Sequence, residues 1–300
     1  MPASPDFTDL ANLDYVARVN RALDFIIQNL TEPLNLEQVA KVACFSPYHF
    51  HRIFKSLVGE TLNAFIKRVR LEKAVHVLSY RDRSLTEVAL ACGFSSSSDF
   101  SRSFRAHYGV PPSAFDVDVY RASRRENFPI ARLPPGENPD GFTVSMRDYP
   151  SRRVAYLRVH RSFEAGRVEA ACRRLLEWAK ARGLDDGEWL GYMWDDPEIV
   201  ALERCRYDVA VVIPPDADVD EEVGTMTFAP MNVAEIDIAG PIELEQRAID
   251  WLYGTWLPTS GYAPDDQPGF EAWNGKPFAH GDEHFELRVQ LPIVDAAAPL

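Results

Sequence analysis

Two groups of side chains in this 300-residue sequence have types and spacing suited to recognition chemistry. In the first, Tyr48, His49, His51, Arg52 and Lys55 follow closely behind Ser46-Pro47. Phenol, imidazole, guanidinium and ammonium groups are donors that can meet base edges and phosphate oxygens. A parallel stretch, Ser96-Ser97-Ser98-Asp99 with Arg102 and Arg105 behind it, carries shorter side chains and an anion. Base discrimination is therefore expected mainly from the first set, and backbone contact mainly from Arg102 and Arg105. The second group is Tyr192, Trp194, Glu271 and Trp273, with Glu286 as a further candidate. A carboxylate beside aromatic rings suits a cationic, apolar molecule through Coulomb attraction and cation–π contact. The plain alternative is that the rings are core, that Glu271 pairs with an arginine such as Arg288, and that Glu286 faces solvent. His280-Gly281-Asp282-Glu283-His284 has metal-ligand residue types, but no second His or Cys cluster joins it, so it reads as a polar loop. No metal site, cofactor motif, Gly-rich phosphate loop or nucleophile–base motif is expected.

The elements that must hold the first group are written twice. Phe45, Phe50, Arg52, Phe54, Lys55 and Gly59 recur as Phe94, Phe100, Arg102, Phe104, Arg105 and Gly109, at an offset of 49 that becomes 50. Each copy begins with a capping-box spacing, Asn35 to Gln38 and Ser84 to Glu87, at the start of a short helix. Apolar stripes follow: Leu36, Val39, Ala40, Ala43 and Leu85, Val88, Ala89, Cys92. A tight turn, Cys44-Phe45 or Gly93-Phe94, leads to a second helix expected to be capped by Ser46, with Pro47 at its first position, or by Ser95. Two such helices make a helix-turn-helix, whose second helix enters the DNA major groove. A helix over about Asp14 to Asn29 braces the first motif. A connector over about Leu62 to Leu78 joins the two, with Leu62, Phe65, Ile66, Val69 and Val77 inward and Lys67, Arg68, Arg70 and Lys73 outward. If it sets the second helices roughly 34 Å apart, both can enter successive grooves.

These motifs, the helix between them and the ending Gly109-Val110-Pro111-Pro112-Ser113-Ala114-Phe115 resemble the tandem DNA-binding domain of AraC-family regulators, over about residues 14 to 118. The resemblance implies double-stranded promoter DNA as partner, and RNA polymerase if the protein activates. Charge is distributed accordingly: residues 1–125 carry 16 Lys/Arg against 13 Asp/Glu, and residues 126–300 carry 16 against 32. A basic module ahead of an acidic one confines DNA attraction to one end.

Three hundred residues favour two domains. The expected division is a tail 1–13, the tandem helix-turn-helix 14–118, a Pro- and Gly-rich linker 119–141, a second domain 142–294 and a tail 295–300. In the second domain the periodicity predicts a strand at Val154–Leu157, a helix from Glu164 to Arg182, and strands at Trp189–Trp194 and Tyr207–Ile213. A second series follows: strand Asn232–Ile238, helix Glu243–Trp256, strands Phe270–Trp273 and Phe285–Leu291. Trp194 maps to Trp273 at an offset of 79, and Tyr207 and Pro214 map to Phe285 and Pro292 at 78. The fold class expected is an all-α tandem helix-turn-helix domain plus an α+β domain of two β-α-β-β repeats. The repeats should pair about a pseudo-twofold axis, with a seam that could take a small molecule. Tyr192 and Trp194 share one strand face, as do Glu271 and Trp273 on the counterpart strand, and if both faces line the seam the pocket has three aromatics around one carboxylate.

Residues 142 to 294 resemble the GyrI-like effector domains in Trp194-Asp195-Asp196-Pro197, Tyr207-Asp208-Val209, Trp256-Leu257-Pro258, Ser260-Gly261-Tyr262, Phe270-Glu271-Ala272-Trp273 and Leu291-Pro292-Ile293. Multidrug-sensing members of that family use the glutamate at the Glu271 position for lipophilic cations, so the resemblance implies a small lipophilic or cationic effector. Many relatives have Phe-Glu-x-Tyr where this chain has Trp273, which keeps an aromatic wall and removes a hydroxyl. The resulting expectation is a ligand-responsive transcription regulator and not an enzyme. Its alternatives are a small-molecule hydrolase, as in some stand-alone relatives, or a protein-binding module.

The four cysteines, at 44, 92, 172 and 205, lie in apolar segments without CxxC spacing and read as buried thiols of a reducing compartment. The N-terminus lacks a basic region followed by an apolar run, and no stretch is long enough to span a bilayer, so a cytoplasmic protein without membrane partners is expected.

Overall fold

The computed structural model describes residues 10–78 (side chains from 14), 84–125, 133–134, 136–281 and 283–296. They form two units that divide between Arg124 and Arg125. Residues 1–9 and 297–300 of the expected tails and residues 126–132 and 135 of the expected linker lie outside the described residues, whereas residues 10–13 belong to the first helix and residue 295 to the last strand.

The first unit is helical: α1 (Leu10–Gln28), α2 (Leu36–Val42), α3 (Pro47–Val58), α4 (Leu62–Leu78), α5 (Leu85–Ala91), α6 (Ser97–Tyr108) and, after a 3-10 turn at Pro112–Ala114, α7 (Val117–Arg125). Both capping boxes form, each N-cap side chain accepting from the N3 backbone while the N3 side chain reaches back. Ser46 caps α3, accepting from the His49 N–H. The cap of α6 is Ser96, one residue beyond the Ser95 expected, and it accepts from the Asp99 N–H. Phe50 and Phe54 from α3 and Phe65 from α4 fill a core closed by Leu23 and Ile26 of α1. In the second half Phe104, Tyr108 and Phe115 pack in tilted and edge-on contacts, and Tyr120 of α7 joins them, with ring centroids 5.4 Å from Tyr108 and 5.1 Å from Phe115. That aromatic contact makes a helix of residues expected to begin a linker.

Helix α4 departs from the expected one-sided pattern. Arg68 is buried, its guanidinium held by Glu60 at 2.7 Å and Glu72 at 2.8 Å. Arg70 donates to the carbonyls of Leu30 at 2.8 Å and Glu32 at 2.7 Å. A helix packed between two motifs has little outward face, so these two arginines are structural rather than free cations.

The second unit is a nine-stranded antiparallel sheet: β1 (Ser145–Tyr149), β2 (Arg152–His160), β3 (Trp189–Met193), β4 (Arg206–Val212), β5 (Gly224–Phe228), β6 (Met231–Gly240), β7 (Tyr262–Pro264), β8 (Phe270–Trp273) and β9 (Phe285–Asp295). The order is β1-β6-β9-β8-β3-β4-β2-β5, with β7 also on β9. From either end the path is edge strand, long strand, long strand, central strand, which is the expected duplication with an extra edge strand on each half. Only Pro150-Ser151 separates β1 from β2, yet they lie on opposite flanks, so the sheet curls until its flanks approach. Its concave side holds Tyr156, Tyr192, Phe228, Met231, Val233 and Phe270 in one cluster. Its convex side is covered by α8 (Arg167–Ala181) and α9 (Ile242–Trp251). Beyond α9 the chain continues through a π-helical stretch, Leu252–Trp256, into α10 (Leu257–Ser260). Pro258 offers no N–H to an i−4 carbonyl, which loosens the ladder there.

Candidate functional site

On α3, Tyr48, His49, His51, Arg52 and Lys55 are all exposed, while Phe50 and Phe54 anchor the opposite face. Arg52 donates to the Tyr48 hydroxyl at 2.9 Å, so a guanidinium and a phenol are presented together. On α6, Ser98, Arg102 and Arg105 are exposed and Ser97 half-buried. Arg102 stands 3.8 Å from Asp99. The Ser46 and Ser96 hydroxyls are engaged as caps, leaving each its own proton to donate.

The four residues expected around one effector pocket are divided between the two faces of the sheet. Register pairs Gly191 with Glu271, Tyr192 with Phe270 and Trp189 with Trp273. Glu271 and Trp273 thus share the convex face with Gly191 and Trp189, while Tyr192 and Trp194 face the concave side. Faces and registers of all strand pairs agree when Gly191, not Tyr192, is the repeat counterpart of Glu271, at an offset of 80. The offset of 79 was one residue short, and a slip of one flips a strand's side chains to the other face. Tyr192 is core, ringed edge-on by Trp194, Phe228 and Phe270 at 5.2–5.6 Å. The Trp194 indole donates at 2.7 Å to Asp208, a buried carboxylate also clasped by Arg158. Glu286 is a surface residue between His280 at 3.6 Å and His284 at 3.5 Å. Among the described residues no group of three His, Cys, Asp or Glu could hold a metal ion. Arg288 binds Glu188 at 2.9 Å and the Tyr149 hydroxyl at 3.0 Å, away from Glu271.

What surrounds Glu271 is a cluster of acids. The Tyr207 hydroxyl of β4 donates to its Oε2, and the Glu245 side chain of α9 hydrogen-bonds the same carboxyl group. Gly191 makes room: a Cβ there would lie 1.6 Å from the Tyr207 oxygen and 3.0 Å from Glu271 Oε2. Burial raises the Glu271 carboxyl, which the bonds from Tyr207 and Glu245 partly offset. Burial and the neighbouring Glu271 push Glu245 well above the usual carboxylate range and Tyr207 well above the usual phenol range. Burial pushes the Cys172 thiol of α8 up to about 12. Two carboxyls this close in a desolvated site do not both ionise. Glu271 retains partial exposure while Glu245 is closed off. Trp189 and Trp273 flank the cluster on the same face.

Sequence reasoning missed Tyr207 and Glu245 as neighbours of Glu271. Glu245 left a signal: with Ala248 and Leu252 it forms the i, i+3, i+7 inward stripe of α9, where a carboxylate does not belong unless it has a partner. Cys172, Leu175 and Ala179 repeat that spacing on α8, so the second repeat supplies both carboxyls where the first supplies cysteine and glycine.

Residues 142–294 match the GyrI-like small molecule binding domain over its curled duplicated sheet. The chain belongs to the GyrI-like family. Ahead of the GyrI-like unit, residues 39–116 match a helix-turn-helix domain, and this unit is AraC-type. The chain is 35% identical over 112 residues to an uncharacterized HTH-type transcriptional regulator, YbfP, of Bacillus subtilis, covering 37% of this chain and 38% of that protein. It is 36% identical over 103 residues to the regulatory protein PocR of Salmonella typhimurium, covering 34% of each. The match spans well under half the length of these relatives. Among solved structures, the DNA-binding domain of AdpA in complex with a target DNA is 29% identical, with a TM-score of 0.31, over 37% of this chain and 96% of that one. The EcmrR C-terminal domain is 11% identical, with a TM-score of 0.40, over 52% of this chain and 99% of that one.

Proposed function

We propose that this protein is a transcription regulator that reads promoter DNA through α3 and α6 of residues 14–118 and binds a lipophilic cationic effector in residues 142–294. The observation that carries the effector reading is Glu271, a half-buried residue of the convex face, flanked by Trp189 and Trp273 and hydrogen-bonded by Tyr207 and Glu245. Among the described residues, the groups that bear on its ionisation are a phenol and a carboxyl, neither of them basic. A desolvated carboxylate without a fixed cation favours one that arrives with the ligand. Glu271→Gln should weaken a cationic ligand about tenfold or more and leave a neutral ligand of the same shape nearly unchanged. Tryptophan emission follows this directly, because all six tryptophans lie in the second unit. Equal losses for charged and neutral ligands would remove Glu271 from the site.

The DNA reading rests on the duplicated motif and the exposed donors of α3. Arg52→Ala should cost roughly 1–3 kcal/mol and relax sequence preference, while Arg105→Ala weakens all sequences alike. A binding assay on genomic fragments that selects no site at any salt concentration would overturn it. If the protein activates, RNA polymerase is its further partner. We place it in the cytoplasm; no helix among the described residues is long and apolar enough to cross a membrane. Tyr207 beside two carboxyls supports one further reading, hydrolysis of an electrophilic ligand, which recovery of intact ligand after incubation would exclude.

A further inference from the structure

We propose that Glu245 is a positioning residue of the effector site: as a neutral acid on α9 it donates its proton to Glu271, so that the site presents one negative charge and takes a monovalent lipophilic cation without releasing a proton. This rests on the effector reading above. The geometry is a carboxyl–carboxyl contact closed on one side by the Tyr207 hydroxyl. Two carboxylates cannot both be ionised at hydrogen-bond distance in a desolvated site, so the pair keeps one proton. The asymmetry of surroundings decides where. Glu245 is 3% exposed, whereas Glu271 is a half-buried residue and accepts a bond from Tyr207. The titratable groups facing the pair are Tyr207 from β4 and Cys172 from α8, the latter near both Glu169 and Arg173. Tyr207 and Cys172 are both held neutral by burial, so they add no charge to the count.

The role is one of pH range. A donor on Glu271 holds that carboxyl in its ionised form, and removing the donor raises the pH at which it takes up a proton and ceases to attract a cation. The test is calorimetric titration of the full chain with tetraphenylphosphonium, from pH 5 to 8 and in two buffers of different ionisation enthalpy. With the unaltered chain, binding at pH 8 should release close to no proton, and affinity should fall about tenfold per pH unit below the Glu271 transition. Glu245→Leu, which fills the space without a donor, should move that transition upward by about one pH unit or more. Glu245→Gln, which keeps an N–H donor, should restore it. Release of about one proton by the unaltered chain would overturn the proposal, and it needs no variant to fold. A transition unmoved in Glu245→Leu, or a loss in Glu245→Gln as large as in Glu271→Gln at every pH, would also overturn it, while leaving Glu271 as the effector's partner. No binding of tetraphenylphosphonium by the unaltered chain would instead overturn the effector reading itself, and this proposal with it.

Discussion

Cys44 and Gly93 occupy the same place in the two helix-turn-helix turns, and both have positive φ, +54° and +78°. Only the second has the residue that conformation favours, since a side chain in the left-handed region costs about 1–2 kcal/mol. The sequence expectation of four buried thiols fails at this residue: Cys44 is exposed, and the other three are buried. Cys44→Gly should therefore stabilise the first unit, by about 0.5–1 kcal/mol once the greater freedom of an unfolded glycine is counted. Gly93→Ala should do the reverse and more strongly. Its Cβ would meet the Leu30 carbonyl at 2.6 Å and Thr31 Cα at 2.9 Å, both backbone atoms at the end of α1. A loss of about 2 kcal/mol or more is expected from clash and strain together. Denaturation followed by far-ultraviolet helicity measures both, because the first unit contains no tryptophan. A Cys44→Gly chain less stable than the original would mean that Cys44 makes a contact worth more than the strain.

At the scale of elements, α4 carries a buried ion cluster, Glu60–Arg68–Glu72, beside its apolar packing. Arg68 is 7% exposed and Glu72 8%. Removing one partner leaves an uncompensated buried charge, so Arg68→Ala should destabilise the first unit by about 3 kcal/mol or more, whereas Lys67→Ala, on the exposed side, should change little. Equal effects in a thermal melt would deny the cluster this stabilising role. The cluster also marks where sequence stops being legible. Capping boxes, N-cap Ser46 and the apolar stripes of α2 and α5 were readable because each is a local rule within one turn of helix. Arg68 looks outward in any one-helix projection, and only the packing of a second motif against α4 turns it in. The strands show the same limit. β2, β3, β4, β6, β8 and β9 were recognisable by residue type, but β1 has a largely exposed pattern, β5 is a short edge, and β7 is three residues long. Glu271 could be singled out from its residue type and aromatic neighbours in sequence. Its partners could not, because Gly191 and Tyr207 meet it through cross-strand register and Glu245 through the docking of α9, and neither is written within any one segment.

At the scale of the whole molecule, the two units divide chemistry between them. Residues 1–125 are net positive and residues 126–300 strongly negative, so attraction to DNA belongs to one unit and is opposed by the other. DNA affinity should therefore fall steeply as salt rises, through counterion release at the phosphate contacts. Attraction alone does not make a regulator. Joining an AraC-type unit to a GyrI-like unit in one chain is useful for regulation only if occupancy of one changes the free energy of the other, and such coupling is reciprocal by thermodynamic necessity. If a cation on Glu271 changes DNA affinity by some factor, a saturating duplex must change the cation's affinity by the same factor. For a ligand-responsive switch that factor should be about fivefold or more, corresponding to roughly 1 kcal/mol or more. Titrating the effector by tryptophan emission with and without the selected duplex gives one side of this cycle, and titrating DNA with and without effector gives the other. Matching factors above fivefold are the expected result. Identical effector affinities with and without DNA would mean that the GyrI-like unit binds its ligand without informing the DNA-reading unit, and the chain would then be a DNA-binding protein carrying an uncoupled ligand trap.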